Sequence, residues 1–230
     1  MIKFEKVTKI YREGFREHII FQNMSIELND AESVAVVGPS GTGKSTFLNL
    51  IAGLTDWDSG KIFIDDIDIQ EMKNSKKAKM RLGKYGFIFQ HYNLVSSLNG
   101  IDNILVPALA KSKKPDMDYI MGIVKEFETE SLMYKYPRQL SGGEQQRIAI
   151  VRALVNRPQI ILADEATGNL DADNSKKVMD MLSKCHKEYG NIFIFVTHDE
   201  ELCKYADRIV RIKKGGVISD ERQENQYNNK

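Results

Sequence analysis

The sequence predicts an α/β fold with a mostly parallel sheet, an N-terminal antiparallel β part and an inserted helical segment. Four apolar runs support the parallel sheet, because strands buried on both faces read as continuous hydrophobic segments. These runs are residues 34–37, 87–89, 160–163 and 192–196. Near the N-terminus, residues 24–28 alternate apolar and polar, and residues 61–65 follow an Asp-Ser-Gly turn signal. Both patterns are typical of antiparallel strands.

The helical insertion is predicted from about residue 91 to residue 155, where helical patterns dominate and strand patterns are missing. The helix-favouring segments are residues 101–110, 116–127 and 142–155. A further amphipathic helix is expected over residues 175–189, with one face toward the sheet. The polar tail from Ser219 onward is expected to fray.

Composition limits the classes of function. The chain has 230 residues, of which 42% are hydrophobic, enough to bury a core as one domain. Its 33 basic and 32 acidic side chains nearly cancel, so nucleic acid is not an expected partner. Cys185 and Cys203 lack metal or redox spacing and are expected to be buried thiols. No stretch approaches the ~20 apolar residues of a membrane span, and the N-terminus lacks a signal-peptide core, so we expect a cytosolic protein.

A glycine-rich segment follows the predicted strand 34–37 and precedes a predicted helix, and it matches the Walker A pattern. Its residues are Gly38, Pro39, Ser40, Gly41, Thr42, Gly43, Lys44, Ser45 and Thr46. Glycines let successive backbone N–H groups point at phosphate oxygens, and the following helix adds its positive end. In this pattern Lys44 reaches the β and γ phosphates, and the Ser45 hydroxyl ligates Mg²⁺. A plain glycine-rich turn is disfavoured by the placement, so the segment predicts a P-loop NTPase core.

Two adjacent acids end the apolar run 160–163, at the edge of the sheet where ligands bind in open α/β folds. Asp164 is the expected Walker B carboxylate, which holds Mg²⁺ through water, and Glu165 can polarise the attacking water. Two surface acids at a strand end are the alternative. The phosphate loop earlier in the chain favours the catalytic interpretation.

Residues 140–147, Leu-Ser-Gly-Gly-Glu-Gln-Gln-Arg, resemble the signature motif of the ATP-binding cassette (ABC) family. Physically, Ser141, Gly142 and Gly143 begin a helix whose N–H groups and dipole form a second anion site. A plain P-loop kinase has no use for such a motif. The resemblance implies ATP and Mg²⁺ as cofactors, and an ATP-dependent, head-to-tail homodimer in which this helix end closes over the ATP of the other copy.

Four further residues fall where the family has functional positions. Gln90 resembles the Q-loop glutamine, which touches Mg²⁺ and the attacking water, and His198 resembles the switch histidine at the γ-phosphate. Asp171 resembles the D-loop aspartate of the dimer interface, and Tyr11 lies where the family places an aromatic ring against adenine. The alternatives are a strand-end glutamine, a core histidine, a helix-capping aspartate and a packed tyrosine.

The resemblance implies one ABC ATPase domain over residues 1–230. Within it, residues 1–90 and 156–230 would form the nucleotide-binding α/β core with its antiparallel part, and residues 91–155 the helical signature subdomain. The sequence of residues 164–171 resembles the corresponding segment of the ATPases for lipoprotein release, macrolide and antimicrobial-peptide efflux, and cell division. Ala166 departs from that group, which usually has proline at this position.

The family implies an integral membrane permease as a separate partner, which would hold the protein at the inner face of the cell membrane. The expected function is ATP-driven export of an antimicrobial peptide, macrolide or lipoprotein-like cargo, with residues 91–98 receiving a coupling helix of the permease. A force-transmitting ATPase of the cell-division type is the alternative. Ribosomal and DNA-repair cassettes are not expected, because they carry a second cassette or a long coiled-coil insertion.

Overall fold

A computed structural model describes residues 1–223, which divide into two compact units. One unit comprises residues 1–77 together with residues 192–223, and the other comprises residues 78–191. The domain boundaries expected from the sequence, at residues 90 and 156, remain a prediction.

Residues 1–223 form ten strands, six α-helices and three short 3₁₀ segments. In chain order the strands and α-helices are β1 (Ile2–Glu13), β2 (Arg16–Leu28), β3 (Ser33–Val37), α1 (Lys44–Ile51), β4 (Ser59–Ile64), β5 (Ile67–Asp68), α2 (Asn74–Lys84), β6 (Tyr85–Phe89), α3 (Gly100–Lys111), α4 (Met117–Glu126), α5 (Gly142–Leu154), β7 (Ile160–Asp164), α6 (Ala172–Tyr189), β8 (Ile192–Val196), β9 (Arg208–Lys213) and β10 (Gly216–Arg222). The 3₁₀ segments are Glu130–Leu132, Pro137–Gln139 and Glu200–Tyr205. The strands and helices predicted from the sequence patterns are therefore present with small shifts at their ends, except that the strand predicted at residues 24–28 begins at Arg16.

The first unit contains an antiparallel layer and a parallel layer. In the antiparallel layer, β1 lies between β2 and β4, and β4 continues to β5. Helix α1 packs on it through Phe47, whose ring centroid lies 5.2 Å from that of Phe4 and 6.4 Å from that of Phe21. In the parallel layer, β3 lies between β8 and β9, and every residue of β3 and β8 is buried. This burial explains their continuous apolar runs.

The second unit is mainly helical. Strands β6 and β7 pair in parallel, from Tyr85 opposite Ile160 to Phe89 opposite Asp164. Helix α5 is its central helix, in contact with β6, α3 and α4. Seven of its residues are buried, including Ile148 and Val151. Helix α5 therefore forms the centre of the interior of this unit. Its N-cap is Ser141.

The expectation for the C-terminal tail was wrong over Ser219–Arg222, which lie in strand β10 paired antiparallel with β9. This segment is held in the sheet by the buried guanidinium of Arg208. Arg208 of β9 donates to both carboxylate oxygens of Asp220 at 2.5 Å, to the Glu27 carbonyl at 2.7 Å and to Glu32 at 3.2 Å. The rest of the predicted tail, residues 224–230, lies outside the described residues.

Replacing Arg208 with methionine is expected to lower the free energy of unfolding by about 3 kcal/mol or more, because the buried carboxylate of Glu32 would lose its counter-charge and Asp220 would lose its partner. Urea denaturation of the full chain measures this difference. Arg222→Met, at the exposed end of the neighbouring strand β10, is the matched control and should change stability by less than about 0.5 kcal/mol. Equal losses in both variants would contradict the anchoring role of Arg208.

Candidate nucleotide site

The residues predicted to form the site are divided between the two units. The first unit carries Tyr11, the phosphate loop (residues 38–46) and His198. The second carries the remaining predicted site residues, which are Gln90, Ser141, Gly142, Gly143, Asp164, Glu165 and Asp171.

Close packing requires glycine at both ends of the phosphate-loop turn. A Cβ on Gly38 would lie 2.2 Å from the backbone oxygen of Ile212 in β9. Gly43, the N-cap of α1, has a φ of +105° and faces Ile20, whose Cγ2 would lie 2.3 Å from an added Cβ. Because Gly43 has no side chain to cap the helix and no acidic residue lies in the first turn, the positive end of α1 can interact with an anion.

Side chains of the loop hold its backbone in a tight turn. The Lys44 ammonium donates to the carbonyl oxygens of Gly38 and Pro39, at 2.9 and 3.0 Å. Thr42 Oγ1 donates to the Pro39 oxygen at 2.9 Å. The lysine is 7% exposed, so its charge lies within the loop, where phosphate oxygens are predicted to bind.

His198 lies at the same sheet edge as the phosphate loop. Strands β3 and β8 pair in parallel register with Val36 opposite Val196, and the Thr197 N–H donates to the Val36 carbonyl at 3.2 Å. Gly38 and His198 each come two residues after that pair, so they leave adjacent strands side by side. The side chain of His198 is exposed, which rules out the core-histidine alternative.

Tyr11 is carried by the β1–β2 hairpin, which is anchored on the phosphate loop. The Phe21 ring has its Cζ 3.2 Å from where a Cβ of Gly43 would lie, and Phe21 pairs with Lys9 across the hairpin. Lys9 and Tyr11, two residues apart on a strand, share a face. Tyr11 is 39% exposed, so it is not a fully packed tyrosine.

In the second unit, Gln90 and the two acids lie together at the carboxyl edge of the β6–β7 pair. Phe89 pairs with Asp164, so Gln90 and Glu165 are the next residues on adjacent strands. Asp164 and Glu165 are half-buried. Glu165 has a φ of +47°, in the left-handed region. This region is costly for a glutamate, and such strain is concentrated at functional positions.

The segment after Glu165 folds back on Gln90. The Gly168 N–H donates to the Glu165 carbonyl at 2.9 Å, and Asn169 Nδ2 donates to the Gln90 carbonyl at 2.8 Å. A Cβ on Gly168 would lie 3.0 Å from Gln90 Nε2. The backbone of the predicted Q-loop residue is therefore tied to the segment that carries the predicted catalytic acid.

Ser141 is the N-cap of α5 within a capping box. Its hydroxyl oxygen accepts from the Glu144 N–H at 3.3 Å, and its own N–H donates to Glu144 Oε2 at 2.7 Å. That N–H, together with the hydroxyl and Lys135, holds the pKa of Glu144 below its ordinary value. Ser141 is exposed, which suits contact with another molecule.

The beginning of α5 lies beside the beginning of α6. An added Cβ on Gly143 would lie 3.5 Å from the side chain of Asn174. Asn174 in turn donates its N–H and side-chain amide to Asp171, at 2.9 and 2.7 Å, which holds the pKa of Asp171 below its ordinary value. Asp171 is thus the N-cap of α6, as in the alternative interpretation of this residue as a helix-capping aspartate. Its role at a dimer interface remains a prediction compatible with that cap.

Sequence reasoning missed the side chains that hold residues 91–99, the segment after Gln90. Arg152 of α5 donates to the Asn93 and Tyr92 carbonyls at 2.6 and 2.7 Å. Burial lowers the pKa of Arg152, and residues 1–223 contain no salt bridge to it. The Tyr92 hydroxyl lies 2.7 Å from where a Cβ of Gly142 would be. No local pattern marks Arg152, because its partners lie about 60 residues earlier in the chain.

Asn103 of α3 holds the other half of this segment and is completely buried. Its Oδ1 accepts from the Val95 N–H at 2.7 Å, and its Nδ2 lies 3.0–3.1 Å from the carbonyls of Val95, Leu98 and Asn99. Residues 91–99 thus have a defined backbone shape although they form neither helix nor strand.

The predicted metal ligands are oxygen donors, namely the Ser45 hydroxyl, the Gln90 amide and the Asp164 carboxylate. Hard oxygen donors with few protein ligands fit Mg²⁺, which usually keeps water and phosphate oxygens in its shell. Residues 1–223 contain no cluster of three or more His, Cys, Asp or Glu side chains suited to a metal. Within the same residues, no helix combines the length and apolar composition needed to traverse a bilayer.

The family model described as ABC transporter matches residues 21–168, which include the phosphate loop, the signature motif and both acids. The chain belongs to the ABC transporter family. This membership confirms the resemblance of the signature motif and the ATPase class predicted from the sequence.

Three ABC relatives illustrate the range of similarity. The ATP-binding protein MJ0796 of Methanocaldococcus jannaschii is 39% identical over 96% of this chain and 97% of its own length. The lipoprotein-releasing system ATP-binding protein LolD of Buchnera aphidicola is 36% identical over 96% and 98%. The macrolide export ATP-binding/permease protein MacB of Campylobacter fetus is 39% identical over 98% of this chain, which spans 35% of MacB. These names confirm the predicted group within the ABC family.

Solved ABC structures show the same fold. A dimeric structure of MJ0796 in a post-hydrolysis state, bound to ADP and Pi, matches with a TM-score of 0.89 and 36% identity over 96% of this chain and 98% of that one. A second dimeric structure of MJ0796 matches with a TM-score of 0.89 and 37% identity over the same shares. The predicted α/β fold with an antiparallel β part and a parallel-rich sheet is confirmed.

Proposed function

We propose that this protein is the ATP-binding and ATP-hydrolysing subunit of an ABC transporter, which powers a separate membrane permease. The phosphate loop carries the proposal, since its turn, its buried lysine and the uncapped start of α1 suit a polyphosphate. Family membership and the ADP and Pi of the MJ0796 structure support ATP as that ligand.

In the proposed binding mode, backbone N–H groups of residues 38–46 surround the phosphates, and Lys44 exchanges its loop carbonyls for β and γ phosphate oxygens. Ser45 would contribute its hydroxyl to Mg²⁺, and Tyr11 would stack on the adenine. When bound, Mg²⁺ neutralises charge on the phosphates. The charged lysine and helix end supply most of the affinity in this mode, and the tyrosine supplies the base contact.

In the proposed hydrolysis, Glu165 accepts a proton from the attacking water, and Gln90 orients that water from the adjacent strand. Asp164 would hold Mg²⁺ through water, and His198 would donate to the γ-phosphate. The left-handed backbone of Glu165 and its pairing position beside Gln90 support these roles, because both restrict where the carboxylate can point.

We further propose an ATP-dependent homodimer in which Ser141, Gly142 and Gly143 of one copy contact the γ-phosphate held by the other, with Asp171 at the interface. The packing of Gly143 against Asn174, which also binds Asp171, supports a joint role for the two helix starts. The dimeric MJ0796 structures support the assembly. The contact is lost when the cleaved γ-phosphate leaves the site, so the dimer opens in the ADP state, after phosphate release.

The proposed partner is an integral permease that binds residues 91–98 and holds the protein at the inner face of the cell membrane. The backbone clamps from Arg152 and Asn103 support this docking site, because a shaped loop loses little entropy on binding. The names of LolD and MacB support a lipoprotein-like or macrolide cargo, and an antimicrobial-peptide cargo is proposed only from the sequence of residues 164–171.

Lys44→Ala is expected to weaken ATP binding roughly 10- to 150-fold, the range for lost hydrogen bonds to a charged group. Calorimetric titration with Mg-ATP measures the affinity. Lys73→Ala, an exposed lysine of the same unit, is the control and should bind like the parent. Urea unfolding should accompany the titration, since Lys44 also holds two loop carbonyls. An unchanged affinity for ATP in a folded Lys44→Ala protein would favour the alternative that the loop is a plain glycine-rich turn.

A further inference from the structure

The Tyr11 ring is covered on one face by a lysine. Lys9 lies two residues earlier on β1, and its ammonium nitrogen is 4.4 Å from the ring centroid. Lys9 is 9% exposed, whereas Tyr11 keeps 39% of its surface exposed. A cation at this distance is attracted by the ring and limits its rotation. The arrangement therefore leaves a held, partly open aromatic ring.

The strand that carries this ring loses regular pairing just before it. Pairing of β1 with β4 ends at Thr8 opposite Ser59, and the register with β2 shifts between Lys9 and Ile10. A strand end with such irregularities is free to twist unless other groups satisfy its backbone. Beyond this shift Tyr11 pairs with His18 of β2 and has no partner in β4, so contacts from outside the β-ladder can add to the positioning of its ring.

Asp58 supplies these contacts from the connection before β4. Its Oδ2 accepts from the Ile10 N–H at 2.7 Å, and its Oδ1 accepts from Arg12 Nη1 at 2.6 Å. Its own N–H donates to the Thr8 carbonyl at 2.9 Å. Arg12, the Ile10 N–H and Lys9 lower the pKa of Asp58, so it is ionised at neutral pH. Asp58 thus holds both residues that flank Tyr11.

We propose that Lys9 and Asp58 are positioning residues for nucleobase binding, with Lys9 holding the Tyr11 ring and Asp58 holding the strand beneath it. The proposal rests on the proposed function, in which Tyr11 stacks on adenine. A held ring loses less rotational freedom when a base stacks on it. Neither residue contacts the phosphates in this assignment, so each should affect the base and not the triphosphate.

The test compares two probes, Mg-ATP and Mg-tripolyphosphate, which lacks the base and ribose, by calorimetry on the full chain. Lys9→Met keeps the aliphatic stem and removes the charge. It should bind ATP at least about twofold more weakly, and up to about fivefold if the contact is worth about 1 kcal/mol. Its tripolyphosphate affinity should equal that of the parent. Asp58→Asn should show the same pattern, and Lys9→Arg should restore ATP affinity.

Lys3→Met, on the same strand and paired with Glu5, is the matched control and should leave both affinities unchanged. In a Tyr11→Ala background, Lys9→Met should have no further effect on ATP, since the ring through which it acts is gone. Equal weakening of both probes would assign Lys9 to the phosphates, and undiminished ATP affinity in Lys9→Met would assign it to folding alone; either result overturns the proposal. If the parent bound neither probe, the proposed function itself would fail.

Discussion

Glu165→Gln is expected to bind ATP like the parent and to lose about 10²- to 10⁴-fold in kcat, the usual contribution of a general base. Glutamine keeps the size of the side chain but cannot accept the proton of the attacking water. Lys44 and Ser45, which bind the nucleotide in the proposed mode, are unchanged. Phosphate release under saturating Mg-ATP measures turnover, and calorimetric titration measures binding.

The matched control is Glu188→Gln, an exposed acid on α6. It carries the same chemical change away from the predicted site and should turn over at the parent rate. Turnover near the parent rate in Glu165→Gln would remove Glu165 from the chemistry, and the left-handed backbone at this position would then require another explanation.

Ser141→Arg in the Glu165→Gln background is expected to abolish the ATP-dependent dimer. Analytical ultracentrifugation should show the Glu165→Gln protein as monomer without nucleotide and as dimer with ATP. An arginine at position 141 adds bulk and an unmatched charge at the proposed contact. An unpaired interfacial charge costs about 2 kcal/mol or more, which weakens dimerisation at least about 30-fold.

Two controls separate this effect from loss of the helix cap. Ser141→Ala removes the capping hydroxyl, a loss of about 1 kcal/mol of helix stability, without adding charge or bulk. It should still dimerise, though more weakly. Ser75→Arg introduces the same side chain at an exposed position of α2 and should dimerise like the parent. A Ser141→Arg protein that still formed the ATP dimer would refute the shared site while leaving the phosphate loop assignment unaffected.

Motifs whose chemistry is local could be predicted from the sequence. The phosphate loop is contiguous, so its glycines, its lysine and the helix after it follow one another in the chain. The helix start at Ser141 and the apolar strands before Gly38 and Asp164 are likewise short-range patterns. The group of relatives could also be predicted, because residues 164–171 resemble the sequence of that group.

Long-range pairing decided the rest. Gln90 lies beside Glu165 because β6 pairs with β7 in one register, and a shift of one residue would separate them. The clamp of Arg152 on the Tyr92 and Asn93 carbonyls, and that of Asp58 around Tyr11, join segments far apart in the chain. Arg152 belongs to no motif, and Asp58 is part of a turn signal only, so neither local pattern indicates the distant partner of the side chain.

The C-terminal strand shows the physical reason for this division. From composition alone, Ser219–Arg222 resemble a polar, frayed tail. They form β10 because Asp220 meets the buried guanidinium of Arg208 and the backbone pairs with β9. Local patterns report the conformation that a segment prefers and the chemistry it carries. Which charge is paired, and which backbone group is satisfied, depends on desolvation and on partners that only the folded chain brings within hydrogen-bond distance.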